Sequence, residues 1–330
     1  LDGWCVHGMT WASSCGFSPS CRLRSSASKH YGTIVQTGVE ARTGRGWERE
    51  CVTCKDVRER PGSPTAEQGV RVPQSISMNT TICDLPVTTI TIQTDPPLDL
   101  FITERAFRPN PTTVRFSRTV KIKEGDVVFD IGTGVGPLAL CAAMKGASHV
   151  YAVDPVAMHC ELAQMNVAKY GLQSKVCVHH GNFFEALETK PELHGVRADV
   201  IIGDVSGIAD PVARALGWYS DDVPTGGEDG TEVIIDLLDR ARAHFTPDGT
   251  MYFPIAVDLS DSAKILDAAS SLYASVENAM ERPTTQFPMT EQEVAAIHEV
   301  YGGTLPEYIQ IQEGRRPFWR GQIWKASRPR

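Results

Sequence analysis

The sequence predicts an α/β fold: a seven-stranded, mostly parallel sheet with helices on both faces. Short apolar runs alternate with helical patterns from Asp126 to Ser275, and the first two runs each end in an aspartate, Asp130 and Asp154. Asp126–Ile131 is the first strand, closed by a glycine loop, and Pro137–Lys145 reads as a helix with proline in its first turn. His149–Asp154 is the second strand, and the helix over Val156–Tyr170 stops at Gly171. Lys175–His180 and Ala198–Asp204 are the third and fourth strands. A helix over Glu228–Phe245 leads through the turn signal Pro247-Asp248-Gly249 to a fifth strand near Met251–Val257. Another helix covers Ser262–Ser275, and the tail offers strands around Glu307–Gln312 and Arg320–Ala326, with a turn at Gly314 between them. Right-handed crossovers place the carboxyl ends of the first four strands along one edge, where such sheets bind ligands.

The 330 residues are 42% hydrophobic and 22% charged, an ordinary balance for a globular protein. No run of eighteen apolar residues is present, which excludes a membrane-spanning helix. Residues 1–77 carry a charge of +3 and contain only 12 Leu, Ile, Val or Phe, too few to build a core. They are expected to be either an extension without a core of its own or the product of a start upstream of Met78, with the folded domain over 78–330. That domain carries −11, which disfavours non-specific nucleic-acid binding. The nine cysteines and the lack of an apolar stretch with a small-residue cleavage site predict reduced thiols and a cytoplasmic location. Cys51 and Cys54 have no second closely spaced pair, so no metal site is expected.

The loop Asp130-Ile131-Gly132-Thr133-Gly134-Val135-Gly136 carries the chemistry. A dinucleotide loop of the form G-x-G-x-x-G needs glycine at 137, where this chain has Pro137. The Asp130 carboxylate would repel a pyrophosphate but suits the ammonium and sulfonium of S-adenosylmethionine. Gly132, Gly134 and Gly136 permit close backbone approach. Asp154 stands where an acceptor for both ribose hydroxyls is needed. Asn182, just past the third strand, suits the adenine amino group, and Phe183 suits the ring face.

These strings resemble the class I S-adenosylmethionine-dependent methyltransferases, with a Rossmann-like sheet. VVFDIGTGVG is similar to their first motif, VYAVD to their second, and ADVIIGD to the strand that abuts the methyl group. The resemblance covers roughly residues 107–258. It implies S-adenosylmethionine held by Asp130, Gly132, Thr133, Gly134, Gly136, Asp154 and Asn182, with Asn182 replacing the usual acid. Within the class, Gly226-Gly227-Glu228-Asp229-Gly230 and Arg108-Pro109-Asn110-Pro111-Thr112-Thr113 resemble segments of release-factor glutamine methyltransferases. Those enzymes finish the fourth strand with Asn-Pro-Pro-Tyr, whereas this chain has Asp204-Val205-Ser206-Gly207.

A carboxylate only accepts hydrogen bonds, so Asp204 suits a nucleophile that carries N–H or O–H protons. Asp204 and Ser206 are therefore the expected catalytic pair. Thr113, Trp218 and Tyr219 are the expected acceptor-binding residues, for a methyl acceptor that is a protein side chain or a small metabolite. Aminopropyl transfer and a non-catalytic cofactor-binding scaffold are the competing readings. Arg315–Arg320 mixes cations and aromatics across a predicted hairpin, where solvated charges are usual.

Overall fold

A computed structural model describes residues 85–189, 193–218 and 225–330, all within a compact unit spanning Gln68–Arg330. Residues 1–77, with the Cys51/Cys54 pair, and the Met78 start lie outside the described residues, as does Tyr219.

The chain order is β1 (Thr88–Ile92), β2 (Leu98–Ile102), α1 (Pro111–Thr119), β3 (Val127–Ile131), α2 (Pro137–Met144), β4 (His149–Asp154), α3 (Ala157–Lys169) and β5 (Val176–His180). A short α4 (Glu185–Glu188), β6 (Ala198–Ile202), α5 (Asp210–Ala215), α6 (Glu232–Ala241) and β7 (Phe245–Ala256) follow. The last third contains α7 (Ser262–Leu272), β8 (Tyr273–Asn278), β9 (Thr285–Pro288), α8 (Glu291–Val300) and β10 (Phe318–Pro329).

The main sheet runs β5-β4-β3-β6-β7-β10-β8, seven strands in number as expected but with β8 in place of the expected strand at Glu307–Gln312, and β9 pairs with β10 as an eighth. From β5 to β7 all pairings are parallel, and β10 runs antiparallel to β7, β8 and β9. The central strand reads Val-Val-Phe-Asp-Ile because both its faces are covered, so an alternating pattern would leave polar groups in the core. One face packs on α2 and α3 through Leu138, Leu140 and Leu162. The other packs on α6 and α7 through Ile234, Leu237, Leu238 and Ile265. Each of these side chains, fully buried, contributes about 1.5–3 kcal/mol. β1 and β2 form a separate antiparallel hairpin. Buried Asn166 on α3 fastens it, accepting from Phe101 N–H at 2.7 Å and donating to Val135 O in the glycine loop at 2.9 Å.

The C-terminal third departs from expectation in three places. The helix expected to reach Ser275 ends at Leu272, and β8 begins at Tyr273, a buried ring whose hydroxyl donates to Leu238 O at 2.7 Å. That tertiary bond outweighs the local helical pattern. Glu307–Gln312 is not a strand, since Ile309 and Gln312 make only isolated bridges to Leu259 and Phe318. The fifth strand begins at Phe245, and Pro247-Asp248-Gly249 lies within it as a register shift against β6 rather than as a turn before it.

Candidate active site

The carboxyl ends of β3, β4, β5 and β6 open onto one cavity of about 890 Å³. Gly132, Gly134, Asp154, Asn182, Phe183, Asp204, Ser206 and Trp218 all line it, so most of the residues singled out in the sequence meet there.

At its floor the glycine loop is held from two sides. Gly132 N–H and Thr133 N–H donate to Val153 O at 2.8 and 3.0 Å, and Gly134 N–H donates to Asp154 Oδ2 at 2.8 Å. Gly132 has φ +76°, and an added Cβ would sit 3.0 Å from Val205 Cγ1. Gly134 has φ +55°, and no atom lies within 4 Å of the place its Cβ would occupy. The open space belongs to the cavity. Gly134→Ala is therefore expected to lower stability by only about 1 kcal/mol, from backbone strain. It should weaken cofactor-analogue binding at least tenfold, because the new methyl enters the cradle. Thermal unfolding and S-adenosylhomocysteine titration of the same variant separate the two effects.

Asp130, Thr133 and Gly136 do not line the cavity; they build the loop beneath it. Thr133 Oγ1 donates to Asp130 Oδ2 at 2.6 Å, while Asp130 Oδ1 is buried with no hydrogen-bond partner among the described residues. Burial, with lesser repulsion from Asp204 and Asp154, pushes the Asp130 carboxyl up to about 7 from 3.8. Such an acid takes up a proton on folding at intermediate pH. Its contribution to stability therefore falls as pH rises from about 4 to about 7. Asp130→Asn is expected to narrow the difference in Tm between pH 5.5 and pH 8. An unchanged difference would contradict the assignment.

Asp154 is a junction. Its Oδ1 accepts from Val156 N–H at 2.9 Å and from His159 Nδ1 at 3.0 Å. His159 Nε2 in turn accepts from Phe107 N–H at 3.1 Å, which fixes the Nδ1–H tautomer. His159 is buried on the first turn of α3, five residues after Asp154, and was not read from the sequence. Its local signal was the helical return of that first turn toward the strand end. On the far wall of this end, Asn182 is exposed and Phe183 adopts φ +42°, with the Arg240 guanidinium 5.5 Å from its ring centre.

At the end of β6, Thr113 Oγ1 donates to Asp204 Oδ2 at 2.8 Å. Thr113 does not line the cavity, so it stands behind Asp204 rather than against an acceptor. The local sequence explains its place. Asn110 caps α1, accepting from Thr112 and Thr113 N–H, and Pro111 occupies the first turn. Burial pushes the Asp204 carboxyl up to about 6 despite the Thr113 bond. Ser206 Oγ is buried against the cavity without a partner among the described residues. Beneath this loop, Gly227 O from the Gly226–Gly230 segment accepts from Asp210 N–H at 2.8 Å.

Two further walls were not foreseen. Trp319 stacks on Phe287 at 4.2 Å and meets Trp218 at 6.1 Å, and all three line the cavity. Arg105, Arg108 and Arg115 line it from the segment between β2 and the middle of α1. The tail cation Arg320, by contrast, is held by fully buried Asp258 at 2.6 Å.

Residues 113–228 match the ribosomal protein L11 methyltransferase (PrmA) family. That segment lies in a Rossmann-like α/β sheet of the order β5-β4-β3-β6-β7-β10-β8. The chain's first motif and the Asp154 strand lie inside the matched segment. The chain is 38% identical over 95 residues to a ribosomal protein L11 methyltransferase of Pelotomaculum thermopropionicum, covering 29% of this chain and 30% of that one. It is 25% identical over 189 residues to a release factor glutamine methyltransferase of Thermosynechococcus vestitus, covering 54% and 64%. A solved ribosomal protein L11 methylase from Lactobacillus delbrueckii subsp. bulgaricus aligns with a TM-score of 0.41 at 18% identity, over 67% of this chain and 81% of that one. The chain spans about a third of the length of the L11 methyltransferase relatives it matches.

Proposed function

We propose that this protein transfers a methyl group from S-adenosylmethionine to a nucleophilic nitrogen or oxygen, on a protein side chain or a small metabolite. The observation that carries the reading is the junction at Asp154. One carboxylate braces the glycine loop through Gly134 N–H and still faces the cavity, where ribose hydroxyls would donate to it. The open cradle at Gly134 and the unpartnered Ser206 Oγ at the cavity wall fit the same group. Bound S-adenosylmethionine would supply an electrophilic methyl carbon on a sulfonium.

The residues then divide the work. Asp154, Asn182 and Phe183 hold the nucleoside end, and Asp130 and Thr133 keep the loop in shape beneath it. Asp204, steadied by Thr113, accepts an N–H or O–H of the acceptor and turns its lone pair toward the methyl group. Holding the reacting atoms in line is worth several kcal/mol, on the order of 7–11 at best. Because Asp204 titrates near 6, it is ionised and able to accept at neutral pH.

Relatives named for ribosomal protein L11, ribosomal protein uL3 glutamine and release factor glutamine support the side-chain arm. The loop Asp204-Val205-Ser206-Gly207 separates this chain from enzymes that hold a planar amide through Asn-Pro-Pro-Tyr. Incubating the protein with methyl-labelled cofactor and fractionated cell extract tests the activity. Label is expected in an acid-stable N- or O-methyl product, and no transfer to any protein or metabolite fraction would overturn the reading.

A further inference from the structure

The acceptor end of the cavity has a chemistry of its own. Trp319 and Phe287 come from β10 and β9, and with Trp218 they give that end an aromatic wall. Arg115 lies on α1, which packs against β10, so the arginine-bearing segment and the aromatic wall belong to neighbouring elements. Arg108 and Arg115 are exposed and make no ion pair among the described residues. Asp154 belongs to the nucleoside end and Asp204 to the transfer edge, which leaves Glu104 as the acid on this side among the described lining residues. Of the three aromatic residues and three arginines, Arg105, Arg108, Phe287 and Trp319 fall outside the segment that matches the L11 methyltransferase family. Most of this aromatic and cationic lining therefore comes from parts of the chain that the family match does not cover, with Arg115 and Trp218 inside it.

We infer that the acceptor is a small aromatic molecule bearing a carboxylate or phosphate, its ring against Trp218, Phe287 and Trp319 and its anion held by Arg108 and Arg115. This rests on the transferase reading and chooses between its two acceptor arms. A half-open, largely apolar cavity of about 890 Å³ with a few converging polar groups has the form of a small-molecule site, and it is large enough for a nucleoside cofactor beside a ring compound. An aromatic wall alone would also attract an ammonium, but the exposed guanidinium groups of Arg108 and Arg115 repel one. Guanidinium groups also pair with carboxylate or phosphate in a fixed, bidentate geometry. The acidic balance of residues 78–330 disfavours a polyanion as large as a nucleic acid.

The test uses the full chain saturated with S-adenosylhomocysteine and titrates 2-naphthoate, cinnamate and phenyl phosphate by calorimetry. The neutral amides of the two carboxylates, 2-naphthylmethylammonium and a ten-residue Asp/Glu-rich peptide serve as comparisons. The anionic ring compounds are expected to bind at least tenfold more tightly than the amides or the ammonium. The Arg108→Ala/Arg115→Ala double variant should lose at least tenfold of that affinity and keep its S-adenosylhomocysteine Kd. Trp218→Leu should weaken the amides and the anions alike. Equal affinity for anion and amide, an unaffected double variant, preference for the peptide, or no ring compound binding would each overturn the inference. Failure to bind S-adenosylhomocysteine would instead strike the transferase reading, and the two failures are read in separate titrations.

Discussion

Asp154→Ala is expected to weaken S-adenosylhomocysteine binding by about 100-fold or more. Two ribose hydroxyls donating to one carboxylate are each worth about 1.5–3 kcal/mol, and each 1.4 kcal/mol is tenfold in affinity. The same carboxylate also receives Gly134 N–H, Val156 N–H and His159 Nδ1–H, so its loss frees the loop that cradles the cofactor. Asp154→Asn should be nearly as damaging, because an amide NH₂ would face one of those N–H groups as a second donor. His159→Ala is expected to cost less, about three- to tenfold, since it removes the brace but leaves the carboxylate. The order Ala at 154, then Asn at 154, then Ala at 159 is measured by calorimetry, with unliganded thermal unfolding as the check on folding. Equal affinity of Asp154→Ala and the native protein would remove Asp154 from the cofactor site.

Asp204→Asn is expected to lower kcat by about 100-fold, the scale of a positioned proton acceptor, with less than a threefold change in S-adenosylhomocysteine Kd. The two variants thus separate cofactor binding from the transfer step. The pH profile adds a second signature. The Asp204 carboxyl titrates near 6 because burial disfavours its charge. Its acceptor form therefore grows in as pH rises through 6, and native activity should rise with it. The asparagine variant cannot titrate and should lose that limb. Thr113→Val keeps the shape but removes the hydrogen bond to Oδ2, which lowers this carboxyl, so the limb should move to higher pH. Retention of the limb in Asp204→Asn would assign it to another group.

Much of the cofactor end was legible because its information is local. An apolar strand, an acid at its end and three glycines within five residues occupy one short stretch, and the strand ending in an acid repeats at β4. The acceptor end was not legible for the opposite reason. Thr113 and Asp204 are 91 residues apart, and nothing near either one announces the other. Thr113, read as an acceptor contact, is not among the cavity's lining residues, and its hydroxyl is spent on Asp204. Trp319 meets Trp218, and Phe287 stacks on Trp319, only because β10 returns antiparallel beside β7 and carries β9 along its edge. β8 was hidden by a helical pattern that runs into Tyr273, where a hydrogen bond to a helix 35 residues earlier decides the structure. Local propensity failed where long-range packing sets the outcome.

The choice of a sulfonium nucleoside over a dinucleotide began with Asp130 and Pro137. In the structure Asp130 bonds to Thr133 beneath the loop and Asp154 lines the cavity, so the proposal gives the contact with the ligand to Asp154. Titrating the purified chain with S-adenosylhomocysteine and, in parallel, with NAD tests that choice most directly. Saturable binding of S-adenosylhomocysteine, accompanied by a rise in Tm and abolished by Asp154→Ala, is the expected result. Binding and stabilisation by NAD alone would contradict it.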